Sequence, residues 1–247
     1  MRTLNIRILI FSLFTLSLVV VSCSKDKEEV IVMIDEEMDA PCPSTLLLFH
    51  EKEGLVRVDI ENPSPIPNGW ETDTTFIGFE GEGYLIWTES DNFNTPGNGF
   101  MRYSIEITNP GTYQFVWRSR IGAGTSNTEH NDSWLRIPTA ADFYGEKAST
   151  GERVYPKGVG KTPNPEGTSK DGWLKCYMNR LDEWFWRSST NDGDPFNIFA
   201  QFDSPGTYDI EISGRSKSHA LDQFVLFKTD KTLNQAITAE LSEITCK

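Results

Sequence analysis

Cysteine is scarce in this chain, four in 247 residues, and no two are spaced as Cys-x-x-Cys. That excludes a structural zinc knuckle. Basic residues are outnumbered, 23 Lys and Arg against 36 Asp and Glu, leaving a net charge of −13 at pH 7. With no basic stripe interleaved with aromatics there is nothing to neutralise phosphates, so nucleic acid is excluded as a partner. No long stretch carries a helical period, which excludes a helix bundle. The most extended apolar run, Ile8 to Val21, is shorter than the roughly 20 residues a membrane helix needs.

What is present points outward from the cell. Arg2 and Arg7 flank the polar start, the apolar run follows, and Val20-Val21-Ser22-Cys23 closes it. This is the layout of a signal peptide, and the tetrad resembles a bacterial lipobox. The expectation is a lipoprotein signal peptide over 1–22 and a lipidated Cys23, followed by a tether over 23–51. Ser24 to Glu29, SKDKEE, resembles the charged tether of surface-exported lipoproteins. The protein is therefore expected at the outer membrane, exposed at the cell surface and touching the bilayer through its anchor alone. Cys42 and Cys246 lie just outside the ends of the patterned region, and if those ends meet an oxidising compartment allows a bridge. Cys176, in an alternating run, reads as a small buried hydrophobe.

The chain is organised around Pro205 to Phe227. Pro205-Gly206 marks a turn. Tyr208, Ile210 and Ile212 then alternate with polar residues, Arg215 to His219 form a basic loop, and Leu221 to Phe227 is an apolar strand holding one acid, Asp222. A carboxylate there is costly without hydrogen bonds or a cation. Further strands are expected over Leu46–Phe49, Leu55–Glu61, Phe76–Trp87, Phe100–Ile107, Gln114–Ile121, Leu135–Pro138, Trp173–Tyr177, Trp184–Arg187 and Phe196–Phe202. Asn109-Pro110-Gly111 is expected to fold two of them into an antiparallel hairpin. The same Pro-Gly-Thr-Tyr recurs at 205–208. Thr139 to Lys170 reads as a surface excursion, Trp87 and Trp117 as core, and the tail over 230–247 as carrying a short helix at Asn234–Leu241. Short strands broken by Gly, Pro, Asn and Asp argue for an all-β antiparallel sandwich.

Val56-x-Val58-Asp59-x-Glu61, then Gly111-Thr112-Tyr113, then Leu221-Asp222-x-x-Val225-Leu226 occur in this order. Over residues 52–229 the chain resembles the jelly-roll carbohydrate-binding modules of families six and thirty-five, with the galactose-binding-domain-like fold. The resemblance implies a structural calcium held by Asp59, Glu61 and Asp222. Asp59 stands where that family usually has Glu. Independently, carboxylates from neighbouring strands suit the oxygen-rich shell of Ca²⁺; the alternative is an Asp222 satisfied by Arg215 or by backbone N–H groups.

Sugar sites combine aromatic platforms with polar side chains at concave loop ends. Three loops carry that mixture: His130, Asn131 and Trp134 with Arg118 and Arg120 before them; Arg215, Lys217 and His219; and Trp184 and Trp186 beside Asp182 and Glu183. The resemblance implicates Lys217 and His219 in particular. Basic residues clustered in an acidic protein point to an anionic glycan, because Arg pairs bidentately with carboxylate or sulfate. The leading reading is a non-catalytic glycan-binding lipoprotein that captures polysaccharide for separate degrading and uptake proteins. The enzyme alternative is a small glycoside hydrolase or lyase, with carboxylates drawn from Asp132, Asp182, Glu183, Asp192 and Asp194 and with His130 or His219 as base. A structural or adhesion protein is the third reading.

Overall fold

The computed structural model describes residues 47–61 and 65–247; the expected signal peptide, Cys23, Cys42 and most of the expected tether lie outside the described residues. In chain order the elements are β1 (Leu47–His50), β2 (Leu55–Asp59), β3 (Trp70–Asp73), β4 (Tyr84–Trp87), β5 (Met101–Ile107), β6 (Gly111–Ile121), β7 (Asp132–Arg136), β8 (Asp142–Glu146), β9 (Arg153–Val154), β10 (Ser169–Lys170), β11 (Trp173–Tyr177), β12 (Phe185–Trp186), β13 (Ser189–Thr190), β14 (Phe196–Phe202), β15 (Gly206–Ser213), β16 (His219–Lys228), α1 (Leu233–Ile237) and β17 (Ile244–Cys246).

They stack as two layers. In one, β8, β14, β6 and β16 run side by side, and β16 carries β2 and β4 along its far edge. In the other the order is β17, β1, β5, β15, β7, β11. Strand β13 bonds to both β11 and β14 and so joins the layers. Every pairing is antiparallel except β1 with β5. The all-β sandwich is therefore what forms, with the first long strand, β2, beside the last, β16, and Asp59 opposite Gln223.

Alternation explains the core. Tyr113, Phe115 and Trp117 of β6 face Ile210 and Ile212 of β15 and Leu135 of β7 across one apolar interior. Trp87 and Trp117 are both buried in it. Three glycines make room for Trp87: a Cβ at Gly69, Gly99 or Gly214 would come within 2.4 Å of its ring. Gly214 therefore ends β15 because no side chain fits there.

Two expectations are corrected. Strands β5 and β6 do not form a hairpin: β5 pairs with β15 and β6 with β14 and β16, in opposite layers. The Pro-Gly-Thr-Tyr turns are corners that carry the chain from one sheet to the other, once at 109–113 and again at 204–208. Residues 139–170 are not a plain excursion, since β8, β9 and β10 lie within them. Strand β3 had no signal, its sequence WETD holding one apolar residue. Cys176 is free and buried, and Cys246 is disulfide-bonded.

Candidate functional site

The outer face of the second layer carries a cleft of about 650 Å³. Period-two alternation supplies its floor. On β11, Leu174 and Cys176 turn inward, which sends Lys175 and Tyr177 to the cleft; on β7, Asp132 does the same beside inward Ser133. Loops make the walls: Phe93 on one side, Asn131 and Asn179 on another, Arg187 and the Asp192–Pro195 turn on a third, Arg215 closing the rim.

Its charges are mostly committed. Arg215 pairs with Asp132, which also accepts from Ser216 Oγ. The Arg215 guanidinium lies 4.8 Å from the Phe93 ring centre and 5.0 Å from that of Trp134. Lys175 pairs with Asp192. Arg187 donates from Nε to Ser189 Oγ at 3.1 Å and makes no ion pair among the described residues. Burial pushes the Tyr177 hydroxyl up to about 12, so it stays a neutral donor. Two residues that line the cleft each have a buried polar atom without a partner among the described residues, Asn179 Oδ1 and Arg215 Nε. The Arg187 guanidinium, which has no ion-pair partner among the described residues, and a half-exposed Phe93 (49%) line the same space. That is the polar-and-aromatic mixture that holds a hydroxylated ring.

Of the ten ligand residues expected from sequence, the cleft takes Asn131 and Arg215. Trp134 lies beneath it, 2% exposed, its indole N–H donating to Asn92 O at 2.9 Å. His219 is a correction: it is fully buried, packed 5.6 Å from the Trp117 ring, and offers a ligand no surface. Its strand begins inside the sandwich, so the basic loop ends one residue earlier than expected. Lys217 is exposed, with its carbonyl bonded to His130 Nδ1 at 2.7 Å. Trp186 covers Val116 and Val225 on the outside of the first layer. Arg118, Arg120 and Trp184 gather elsewhere: Arg118 over Trp184, Arg120 over Phe76, and Trp184 against Tyr84 at 4.9 Å. The residues missed were Phe93, Lys175, Tyr177, Asn179 and Arg187. A signal for two of them existed, since placing Cys176 inward puts Lys175 and Tyr177 outward.

The expected calcium ligands divide. A Cβ on Gly81, at φ +77°, would lie 2.8 Å from Glu61 Oε1 and 3.5 Å from Asp59 Oδ2, so this turn closes over both carboxylates. Glu61 Oε1 accepts from Glu82 N at 2.9 Å, while its buried Oε2 has no partner among the described residues. Burial raises the pKa of both acids. These two fit a cation. Asp222 does not join them: it is the extra residue of a bulge in β16, which sets its carboxylate against Arg118 of β6, and it also accepts from Glu80 N at 3.3 Å. Arg215, the partner weighed from sequence, goes to Asp132 instead. Among the described residues no three His, Cys, Asp or Glu side chains close on one point.

No known family profile matches the chain, and no curated protein does. Among solved structures it is similar to a mannanase of glycoside hydrolase family 26 with a family 35 carbohydrate-binding module from Podospora anserina. That match has 13% identity and a TM-score of 0.40, and spans 73% of this chain but 29% of that one. It is also similar to the C-terminal family 6 carbohydrate-binding module of a marine laminarinase from Zobellia galactanivorans, at 17% identity and a TM-score of 0.36, over 70% and 99% of the two chains. A β-1,3-glucan-binding family 6 module from Bacillus halodurans matches at 13% identity and a TM-score of 0.37, over 73% and 98%.

Proposed function

We propose that this chain is a non-catalytic glycan-binding lipoprotein of the cell surface, and that the cleft between Phe93, Tyr177 and Arg187 holds its ligand. One observation carries the reading: an exposed aromatic ring, the Tyr177 hydroxyl and a guanidinium without an ion-pair partner among the described residues line one space. Arg187 gives the ligand its class. A guanidinium without a carboxylate of its own pairs with a uronate or sulfate group, through charge-assisted bonds worth about 1.5–3 kcal/mol. Catalysis is disfavoured by the same geometry, since Asp132 and Asp192 are each bound to a cation. Captured polysaccharide would pass to separate degrading and uptake proteins.

Affinity electrophoresis against neutral, uronate and sulfated polysaccharides tests this. Retention is expected on an anionic gel, falling about ten-fold or more for Arg187→Ala, as 1.4 kcal/mol per decade requires. Phe93→Ala should also weaken it, with both variants keeping the wild-type circular dichroism spectrum. If Trp184→Ala abolishes retention while the cleft variants bind normally, the ligand sits at the Arg118–Trp184 group instead. If no polysaccharide is retained, the adhesion reading gains.

We propose also that Asp59 and Glu61, beneath the Gly81 turn, hold a calcium ion that serves the fold. What the ion supplies there is charge for a buried acid, Asp59, and a half-buried one, Glu61. A chelator should lower the melting temperature, and Glu61→Gln should remove that dependence. An unchanged melt on chelation rejects the ion.

A further inference from the structure

Directly behind the cleft, the interior changes character. The same alternation that sends Asp132 and Tyr177 outward sends Ser133 and Cys176 inward, where Ser133 meets His219 and His219 packs against the Trp117 indole. Ser119, Ser133, Cys176, His219 and Trp117 are all fully buried. One bond among them is made, Ser133 Oγ to His219 Nδ1 at 2.8 Å. Three polar atoms remain without a partner among the described residues: Trp117 Nε1, Ser119 Oγ and His219 Nε2.

Their placement is a matter of register. Trp117 and Ser119 are two apart on β6 and so share its inner face. On β16, Leu221 lies opposite Ser119 and His219 opposite Ile121, which makes His219 the diagonal neighbour of Ser119 on that face. The Trp117 and His219 rings lie 5.6 Å apart. None of the three groups bonds another, and each would cost about 1–3 kcal/mol if left dry. An indole N–H gives only a donor, a hydroxyl gives either role, and an imidazole nitrogen opposite a bonded Nδ1 completes the set. A polar interior with two to four convergent partners is where proteins keep buried water.

We propose that this interior holds an ordered water that bridges Trp117 Nε1, Ser119 Oγ and His219 Nε2 and supports the cleft from behind. The support reaches the cleft through short connections. His219 is tied to Ser133, whose neighbour Asp132 holds Arg215 and Ser216; the Ser216 amide donates to Asp132 O at 3.1 Å and the His219 amide to Ser216 O at 3.2 Å. Fixing the imidazole therefore fixes the start of β16 and the end of the loop that carries Arg215. The site is independent of what the cleft binds.

A high-resolution crystal structure of the chain tests the water directly. The expected result is a density peak within hydrogen-bond distance of at least two of the three atoms; a dry interior overturns the proposal. A second measurement does not depend on crystals. Oxygen-17 relaxation dispersion counts long-lived waters in solution, and Ser119→Val, which puts two methyl groups in place of the hydroxyl and fills the space, should lose one relative to wild type. An unchanged count in a folded Ser119→Val protein overturns it, and if that variant does not fold the wild-type density decides.

Discussion

At the scale of single residues, two buried ionisable groups on β16 pull the pH dependence of stability in opposite directions. His219 is held neutral: burial lowers its pKa from 6.5 to about 3. The unfolded chain then binds a proton below pH 6.5 that the native state refuses, so stability is lost as pH falls from 6.5 toward 3. Asp222 runs the other way. Burial pushes its carboxyl from 3.8 up to about 6, more than Arg118 and the Glu80 amide pull it down. The native state therefore holds a proton the unfolded chain has released, and stability from Asp222 is lost as pH rises from about 4 to 6. Neither group is idle: removing Arg118 alone would leave the acid buried without its cation. Urea unfolding at pH 6.5 and pH 5 separates them. His219→Gln should remove about 2 kcal/mol of acid sensitivity over that interval, at 1.36 kcal/mol per pH unit. A variant with the slope of the wild type would show that the imidazole is protonated in the folded protein.

At the scale of elements, the two corners share one mechanism. Tyr113 Oη donates to Asn109 O at 2.6 Å, and Tyr208 Oη donates to Ser204 O at 2.7 Å, each closing on the carbonyl four residues back. Both rings then pack on Phe202, Tyr113 edge-on at 5.4 Å and Tyr208 tilted at 4.5 Å. Each Tyr thus pins the turn that switches sheets, as a tyrosine corner does in other sandwiches. Tyr113 is fully buried while the second bond lies in solvent. Tyr113→Phe should therefore cost about 1–1.5 kcal/mol, by removing a part-buried hydrogen bond from a buried hydroxyl, and Tyr208→Phe about 0.5 kcal/mol or less. Equal costs in chemical denaturation would deny the difference in shielding. The corners also show what sequence could not reveal. Alternation in 101–107 and 113–121 marks two strands and their inner faces, and β11 and β14 match their expected bounds. Alternation does not say which strand lies next to which, so a Pro-Gly corner reads as a hairpin turn. Strand β8, DFYGE, escaped because Gly145 breaks its pattern; a Cβ there would lie 2.8 Å from Thr190 and 2.9 Å from Val154, a constraint set by partners distant in sequence. The cleft was half legible for the same reason: a strand can place Lys175 on a face, but its meeting with Phe93 and Arg187 needs three loops brought together.

At the scale of the whole molecule, the segment after β16 belongs to the folded body. Strand β17 pairs with β1, the Ser242 amide donates to Arg57 O at 2.9 Å, and Arg57 Nη1 donates to Ala239 O at 2.7 Å. Helix α1, whose capping box runs from Thr232 to Gln235, lays Leu233, Ala236 and Ile237 on Val116, Val225 and Phe227. This second apolar cluster lies on the outside of the first layer, separate from the interior that contains Trp117 and Phe224. The separation makes the helix a dependent part: it needs the sheet, whereas the sheet retains its own interior without it. Five residues cannot form a stable helix alone, so docking holds it. A charge at its centre should release it while the sandwich stays folded. Ala236 is 1% exposed, and Ala236→Asp places a carboxylate among the apolar side chains packed around it. The expected outcome is rapid tryptic cleavage at Lys231 in native buffer, with a melting temperature lowered by several degrees and cooperativity retained. Cleavage at the wild-type rate would mean that α1 is held by its flanking contacts at Arg57 and β1, and that the outer cluster contributes little. Complete loss of the folded state would mean that the two clusters form one cooperative unit.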